Sequence, residues 1–296
     1  MKWKCLFPIA SPNAESITAI WLSSHNGYAD FSSCGKPALA ASYLAADAVQ
    51  KRQLIQWIAD HADEATLIDE SLYTLAPSVP CPGKVVCLGK SYADHAREFD
   101  GSAPTEPSIF LKATTAVAGA FSPVLIPPGC SRLDYEVELA IVIGEKLKNA
   151  DSIQAAQAIA GYTMMCDYSE RDLQLNRGGQ WTKGKSYDTF APLGPTFVTP
   201  DELTDPDNLP IFLKVNGESR QAGNTNQLIM PMAELVSYVS SFMTLLPGDV
   251  ISTGTPVGVA IGMDPPQFLQ PGDIVEWGTP SIGFARQIVE QDTTAS

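Results

Sequence analysis

The stretch LDYEVELAIVIG, residues 133–144, decides the fold assignment because it predicts a buried strand with acidic residues at its start. Successive side chains of a strand point to opposite faces, so Glu136 and Glu138 are predicted to share one face. Two carboxylates on one face of an apolar strand repel each other and are costly to bury. A hard divalent cation such as Mg²⁺, Mn²⁺ or Ca²⁺ removes both penalties. A solvated acidic strand face is the alternative, and this stretch alone does not decide between the two.

A third ligand for such a cation is predicted at Asp167, which follows the apolar strand predicted over Tyr162–Cys166. A carboxylate at the end of a strand, where a loop opens, is a common position for a functional group. An aspartate at this position is also a common helix N-cap, and that interpretation stays open.

The chain before this region is predicted to form a small N-terminal α+β domain over residues 1–78. Apolar patterning predicts two pairing strands, a helix and a short strand, over Lys2–Ala10, Ser16–Ser23, Pro37–Asp60 and Glu70–Leu75. The Pro-rich segment APSVPCPGK (76–84) breaks this pattern, so the second, larger domain is predicted over residues 79–296.

Strands dominate the pattern of the larger domain. Asn216-Gly217 tolerates the two positive φ values of a type I′ turn, so a hairpin is predicted around it. The predicted strands are Lys84–Leu88, Ser108–Lys112, Tyr135–Ile143, Ile211–Val215 and Glu218–Ala222, and the predicted helices are Ala150–Tyr162 and Met232–Phe242. The fold class is therefore α+β and rich in strands.

The composition excludes several classes of function. The 296 residues carry a net charge of -14, which gives no electrostatic footprint for nucleic acid or an anionic membrane. No apolar run approaches the roughly 18 residues of a membrane span. The six cysteines are scattered without CxxC spacing, which favours free thiols in a reducing compartment. We expect a cytoplasmic protein with no nucleic-acid or membrane partner.

Two further groups have the residue types of a catalytic site. His95 and Glu98 lie at i and i+3, where a helix places both side chains on one face. A carboxylate that orients an imidazole gives a general base. In the loop QWTKGKSYDT (180–189), Lys183 or Lys185 has the charge to stabilise an oxyanion or an enolate. A surface His–Glu contact and ordinary surface lysines are the alternatives.

Seven motifs, in this order, resemble the fumarylacetoacetate hydrolase family over Lys84–Val289. They are GKSYADHAREF (89–99), PSIFLKATTA (107–116), LDYEVELAIVIG (133–144), CDYSERDLQ (166–174), GGQWTKGKSYDTFAPLGP (178–195), LKVNGESRQ (213–221) and LPGDVISTGTPVGV (246–259). One departure is Gly-Lys-Ser-Tyr at 89–92, where the family usually has Gly-Arg-Asn-Tyr. Lys90 keeps the charge of that arginine but not its bidentate fork.

The resemblance implies roles for individual residues. Metal binding, to Mg²⁺ or Mn²⁺, is implied for Glu136, Glu138 and Asp167. Catalysis is implied for His95 with Glu98 and for Lys185, which contacts the reacting oxygen and matches the family better than Lys183 does. Substrate binding is implied for Tyr92, Arg171, Gln174 and Thr255.

The resemblance also implies a fold, an assembly and a reaction. The fold is a mixed β-roll with a small N-terminal α+β domain, and the assembly is a homodimer. The reaction is hydrolysis of a C–C bond in a 2,4-dioxo acid, such as an acylpyruvate, fumarylpyruvate or a 2,4-diketo-3-deoxy sugar acid. One alternative keeps the site but makes it an oxaloacetate decarboxylase or a hydroxymuconate-type isomerase or decarboxylase. A catalytically idle ligand-binding protein is the alternative from another class.

Overall fold

The computed structural model describes residues 1–10, 15–36, 38–94 and 104–293. The strands are β1 (Lys2–Pro8), β2 (Ile17–Leu22), β3 (Gly27–Asp30), β4 (Thr66–Leu67), β5 (Tyr73–Leu75), β6 (Val85–Gly89), β7 (Ser108–Lys112), β8 (Val117–Gly119), β9 (Val124–Ile126), β10 (Leu133–Asp134), β11 (Val137–Ile143), β12 (Ile159–Cys166), β13 (Ser169–Glu170), β14 (Ala191–Val198), β15 (Pro210–Val215), β16 (Glu218–Asn224), β17 (Val250–Ser252), β18 (Ile274–Thr279) and β19 (Gly283–Gln291). The helices are α1 (Leu39–Ala45), α2 (Ala48–Asp60), α3 (Ser152–Gln157), α4 (Arg171–Asn176), α5 (Thr182–Lys185) and α6 (Met232–Phe242). The predicted strand-rich α+β fold is confirmed.

A twelve-stranded mixed sheet forms the centre of the molecule. Ten of its strands follow one path in the order β4-β3-β2-β1-β14-β12-β11-β17-β6-β7. Strand β11 lies between β12 and β17, and every residue of β11 and β12 is buried. Because both neighbours of β11 are present and both its faces are covered, its apolar side chains are held in one register. The position of the acidic residues at its start is therefore fixed by the core.

A five-stranded sheet, in the order β16-β15-β18-β19-β9, packs beside the large one. Its first two strands form the hairpin that the sequence predicts. Asn216 and Gly217 have φ values of 52° and 82°, as a type I′ turn requires. The predicted turn is confirmed.

The N-terminal strands join the large sheet. Strand β1 pairs with β2 and β5 and also with β14, where Lys2 lies opposite Val198 and Trp3 opposite Phe197. The rings of Trp3 and Phe197 stack with their centroids 3.7 Å apart. The division into residues 1–78 and 79–296 remains a prediction.

Two predicted helices differ from the structure. The segment predicted as one helix over Pro37–Asp60 forms two, α1 and α2, because Asp47 starts α2 with a capping box to Gln50. The helix predicted over Ala150–Tyr162 ends at Gln157, and β12 begins two residues later. Among the residues that the structure describes, no helix is long and apolar enough to cross a membrane.

Candidate functional site

Three buried carboxylates lie close together at the N-terminal end of β11. Glu136 lies directly before the strand, Glu138 is its second residue, and Asp167 follows β12. The antiparallel register places Val137 opposite Cys166, and the amide of Asp167 donates to the carbonyl of Glu136 at 2.8 Å. One oxygen from each of the three carboxylates lies within 4.8 Å of the others. The predicted ligand set is therefore brought together, although Glu136 lies just outside the strand in which it was predicted.

Two lysines neutralise part of this negative charge. Nζ of Lys185 donates to Glu136 at 2.7 Å and to Asp167 at 2.8 Å. Lys112 donates to the other oxygen of Asp167 and to the carbonyl of Tyr168. Burial lowers the pKa of Lys185, but the carboxylates of Asp167 and Glu136 outweigh it and hold that pKa above its ordinary value.

Arg171 adds a third buried cation. Its Nη2 donates to Glu136 at 2.6 Å, its Nε to Asp134 at 2.8 Å and its Nη1 to Gln174 at 2.8 Å. Asp134 is fully buried and also accepts from the backbone amides of Ala260 and Ile261, at 2.7 and 3.0 Å. Asp134 thus holds the guanidinium of Arg171 beside Glu136, one of the three candidate metal ligands.

Glu138 has a different environment from the other two carboxylates. Its Oε2 accepts from the hydroxyl of Ser252 and from the amide of Gly254. Within the described part of the chain, Glu138 forms no ion pair and its Oε1 accepts no hydrogen bond. Burial, followed by the charges of Asp167 and Glu136, raises the pKa of Glu138 to about 8. A divalent cation fits this site, because it supplies the positive charge that Glu138 lacks and prefers oxygen ligands.

Two short helices carry the remaining polar groups of the site. Glu170, not Asp167, caps α4 by accepting from the amides of Asp172 and Leu173. A Cβ atom at Gly184 would lie 2.4 Å from the carbonyl oxygen of Glu170. Because glycine allows this approach, α5 packs against the start of α4 and places Lys185 beside the carboxylates. This contact explains the glycine of the Lys-Gly-Lys motif.

A cleft opens over Glu136 and Glu138. Polar and charged side chains form what we call the floor of the cleft: Glu136, Glu138, Arg171, Gln174, Lys185 and Thr255. The wall consists of Leu88, Gly89, Phe110, Leu175 and Trp181, which are apolar, together with the charged Lys90. The hydroxyl of Thr255 donates to the carbonyl of Val137 at 2.9 Å and accepts from Gln221 at 2.8 Å. The structure therefore places the predicted substrate-binding residues Arg171, Gln174 and Thr255 in one cleft with the carboxylates.

The other predicted site residues lie as follows. Tyr92 is buried, and its hydroxyl has no hydrogen-bond partner among the described residues. Burial, with the charge of Glu138, raises the pKa of Tyr92 above its ordinary value. His95 and Glu98 lie outside the described residues. Lys183 is exposed and donates to a backbone carbonyl at 2.5 Å, so Lys185 alone of the two lysines reaches the carboxylates.

Three residues of the site were not predicted from the sequence: Lys112, Asp134 and Gln221. Gln221 is buried on β16, where it accepts from the amide of Val137 at 3.0 Å and donates to Thr255. It therefore ties the hairpin of the small sheet to the start of β11. The resemblance motifs contain all three residues, but no local pattern distinguishes a buried lysine, aspartate or glutamine from an exposed one.

Comparison with known proteins agrees with this geometry. The family model "Fumarylacetoacetate (FAA) hydrolase C-terminal" matches residues 84–290. A mitochondrial oxaloacetate tautomerase of Bos taurus is 46% identical over 210 residues, which cover 71% of this chain and 67% of the relative.

Two solved structures show the same fold over nearly the whole chain. The 5-carboxymethyl-2-hydroxymuconate delta-isomerase of Mycobacterium smegmatis has a TM-score of 0.75 and 31% identity, covering 99% of this chain and 100% of its own. The maleylpyruvate hydrolase of Sphingobium sp. SYK-6, in complex with manganese (II) ion and pyruvate, has a TM-score of 0.80 and 25% identity over the same shares. Members of the family thus include hydrolases and isomerases. With its matched domain and carboxylate cluster, this chain belongs to the fumarylacetoacetate hydrolase family.

Proposed function

We propose that this protein is a Mg²⁺- or Mn²⁺-dependent enzyme that converts a small 2-oxo acid through its enolate. The observation that carries the proposal is the position of Lys185, whose ammonium bridges two of three buried carboxylates at the floor of an open cleft. An enzyme that forms an enolate needs positive charge where the carbonyl oxygen becomes negative. The site offers that charge on a lysine that is itself buried.

The metal is assigned to Glu136, Glu138 and Asp167. Each carboxylate oxygen has two acceptor positions, so Glu136 and Asp167 retain capacity for a cation beside their bonds to lysine and arginine. When bound, Mg²⁺ or Mn²⁺ supplies charge stabilisation for the oxygens of a 2-oxo acid. The manganese and pyruvate in the complex of the maleylpyruvate hydrolase support this assignment.

We assign each residue of the floor a separate role in binding or converting the substrate. Lys185 donates to the oxygen on which charge develops, and Arg171 binds the substrate carboxylate at the part of the cleft that Thr255 also lines. Gln174 is held by Arg171 at 2.8 Å and offers its amide to the same end of the substrate. Proton transfer at the carbon next to the keto group is assigned to His95, oriented by Glu98.

The reaction that we place first is keto–enol interconversion of oxaloacetate or a similar 2-oxo diacid. One proton leaves C3 and one is added to the C2 oxygen, so that no other atom is exchanged. The 46% identity to an oxaloacetate tautomerase over most of the chain favours this reaction. Decarboxylation of the same acid breaks the C3–C4 bond, releases CO₂ and leaves the enolate of pyruvate, with its charge on the same C2 oxygen, and is a second outcome of one assay.

Hydrolysis of a 2,4-dioxo acid is the second candidate, favoured by the fold shared with the maleylpyruvate hydrolase. Here water adds to the C4 carbonyl, the C3–C4 bond breaks, and the products are a carboxylic acid and the enol of a 2-oxo acid. A homodimer is also proposed. Because the oxaloacetate tautomerase is mitochondrial, the cytoplasmic location stays a prediction.

The test compares two lysines of α5, one buried and one exposed. Turnover is measured with Mg²⁺ on oxaloacetate, by enol absorbance and pyruvate release, and on acetylpyruvate. Lys185→Met is expected to lower kcat/KM at least about 100-fold while metal binding by calorimetry persists. Lys183→Met is the matched control and is expected to retain activity. Equal activities of the two variants, or full wild-type activity in EDTA, would refute the proposal.

A further inference from the structure

The apolar wall of the cleft has an aromatic residue at a defined position. Trp181 lies directly before α5, four residues before Lys185, a spacing that places two side chains on the same face of a helix. Its ring lies 5.5 Å from that of Phe110, and the ring of Phe110 lies 5.0 Å from Nζ of Lys185. The three side chains form a continuous row from the reactive floor to the wall.

Gly89, the last residue of β6, is in direct contact with this tryptophan. A Cβ atom at Gly89 would lie 2.5 Å from Cζ3 and 3.2 Å from Cη2 of Trp181. Atoms at such a distance overlap, so any other residue at this position would displace the indole ring. The ring therefore rests on the bare backbone of the strand.

The backbone conformation does not account for this glycine. Gly89 is absent from the positions with positive φ, and it pairs with Ser108 in a regular antiparallel register. Glycine inside a strand weakens it and often marks a place where another group comes close. The group that comes close here is the indole of Trp181.

We propose that Trp181, seated on Gly89, determines specificity by limiting the tail of the substrate. This inference rests on the proposed function, which places the keto acid group at Lys185 and the carboxylates. The tail then faces the wall formed by Leu88, Phe110, Leu175 and Trp181. The protein accordingly selects short 2-oxo acids, of the size of pyruvate or oxaloacetate, and rejects those with a long alkyl tail.

The test measures binding, so that it does not depend on turnover. Dissociation constants for pyruvate and for 2-oxooctanoate are measured by calorimetry in the presence of Mn²⁺. Wild-type protein is expected to favour pyruvate, and Trp181→Ala is expected to shift the ratio of the two constants at least about tenfold towards 2-oxooctanoate. Trp57→Ala, which removes a half-buried tryptophan from α2, is the control and is expected to leave the ratio unchanged.

A double-mutant cycle tests the contact itself. Gly89→Ala is expected to shift the ratio in the wild type and to have no effect in the Trp181→Ala background, where the clashing ring is gone. An unchanged ratio in Trp181→Ala, or additive effects of the two substitutions, would overturn this inference alone. Failure of the wild type to bind either acid would overturn the proposed function with it.

Discussion

Asp134→Asn is expected to destabilise the protein far more than its volume suggests. The side chain is fully buried, and Arg171, which donates to it at 2.8 Å, is buried as well. The substitution preserves shape but removes the charge that faces the guanidinium and turns one acceptor into a donor opposite a backbone amide. Breaking one side of a buried ion pair costs about 3–5 kcal/mol. The free energy of unfolding is expected to fall by that amount.

Asp172, the residue after Arg171, offers a matched control. Asp172 forms the same kind of pair with Arg177, at 3.0 Å, but there the side chains are 38% and 63% exposed. Solvent screens an exposed ion pair, so Asp172→Asn is expected to be nearly neutral. Urea unfolding in EDTA, with equal m-values confirmed, measures both variants. Costs that agree within about 1 kcal/mol would refute the argument that Asp134 holds Arg171 through a desolvated charge.

Three further predictions concern the metal and the hairpin. In EDTA, the free energy of unfolding is expected to fall as pH rises from 4.5 to about 8, because in this range Glu138 loses its proton in the unfolded state and keeps it in the folded state. Urea midpoints measured across this range give the dependence of stability on pH, and Glu138→Gln should weaken that dependence. Mg²⁺ at 100 times its dissociation constant is expected to raise the free energy of unfolding by about 2.7 kcal/mol. The rise in melting temperature on adding Mg²⁺ measures this effect, and the same rise in Asp167→Asn would contradict the assignment of Asp167 as a ligand. Gly217→Ala is expected to lower the free energy of unfolding by about 1–2 kcal/mol, because the φ of 82° is unfavourable for any residue with a Cβ. No atom lies within 4 Å of an added Cβ, so a steric clash does not contribute. A neutral result in urea unfolding would exclude backbone strain at this turn.

Local patterns predicted those features that depend on neighbouring residues. The Asn216-Gly217 turn needs only two residues with positive φ, and its strands follow from alternation. The pattern after Ala150 predicts a helix up to Tyr162, because a buried strand and a buried helix share the same apolar run. In the structure the helix ends at Gln157 and β12 begins at Ile159. Inside β12, a Cβ atom at Gly161 would lie 2.3 Å from the carbonyl oxygen of Val198. That contact joins distant parts of the chain, so no window of sequence contains it.

The candidate site likewise contains features that residue spacing predicts and features that depend on contacts between distant parts of the chain. Spacing alone indicated that Glu136 and Glu138 belong together, but their approach to Asp167 depends on the register of β11 against β12. Lys112 ends a short predicted strand, and only the fold buries it against Asp167. Motif resemblance supplied what patterning did not, because the order of seven motifs carries information about contacts between them.

One floor can serve several reactions because the charge develops at the same place in each. In the proposed function, enolisation, decarboxylation and C–C hydrolysis all place negative charge on the keto oxygen next to the acid group, the oxygen that we assign to Lys185, which is held by Glu136 and Asp167. These floor groups therefore cannot choose among the reactions. The choice depends on which group moves a proton or water, assigned to His95, and on which tail fits beside Trp181. Substitutions at the floor should lower all three activities together, whereas substitutions at the wall should change their ratio.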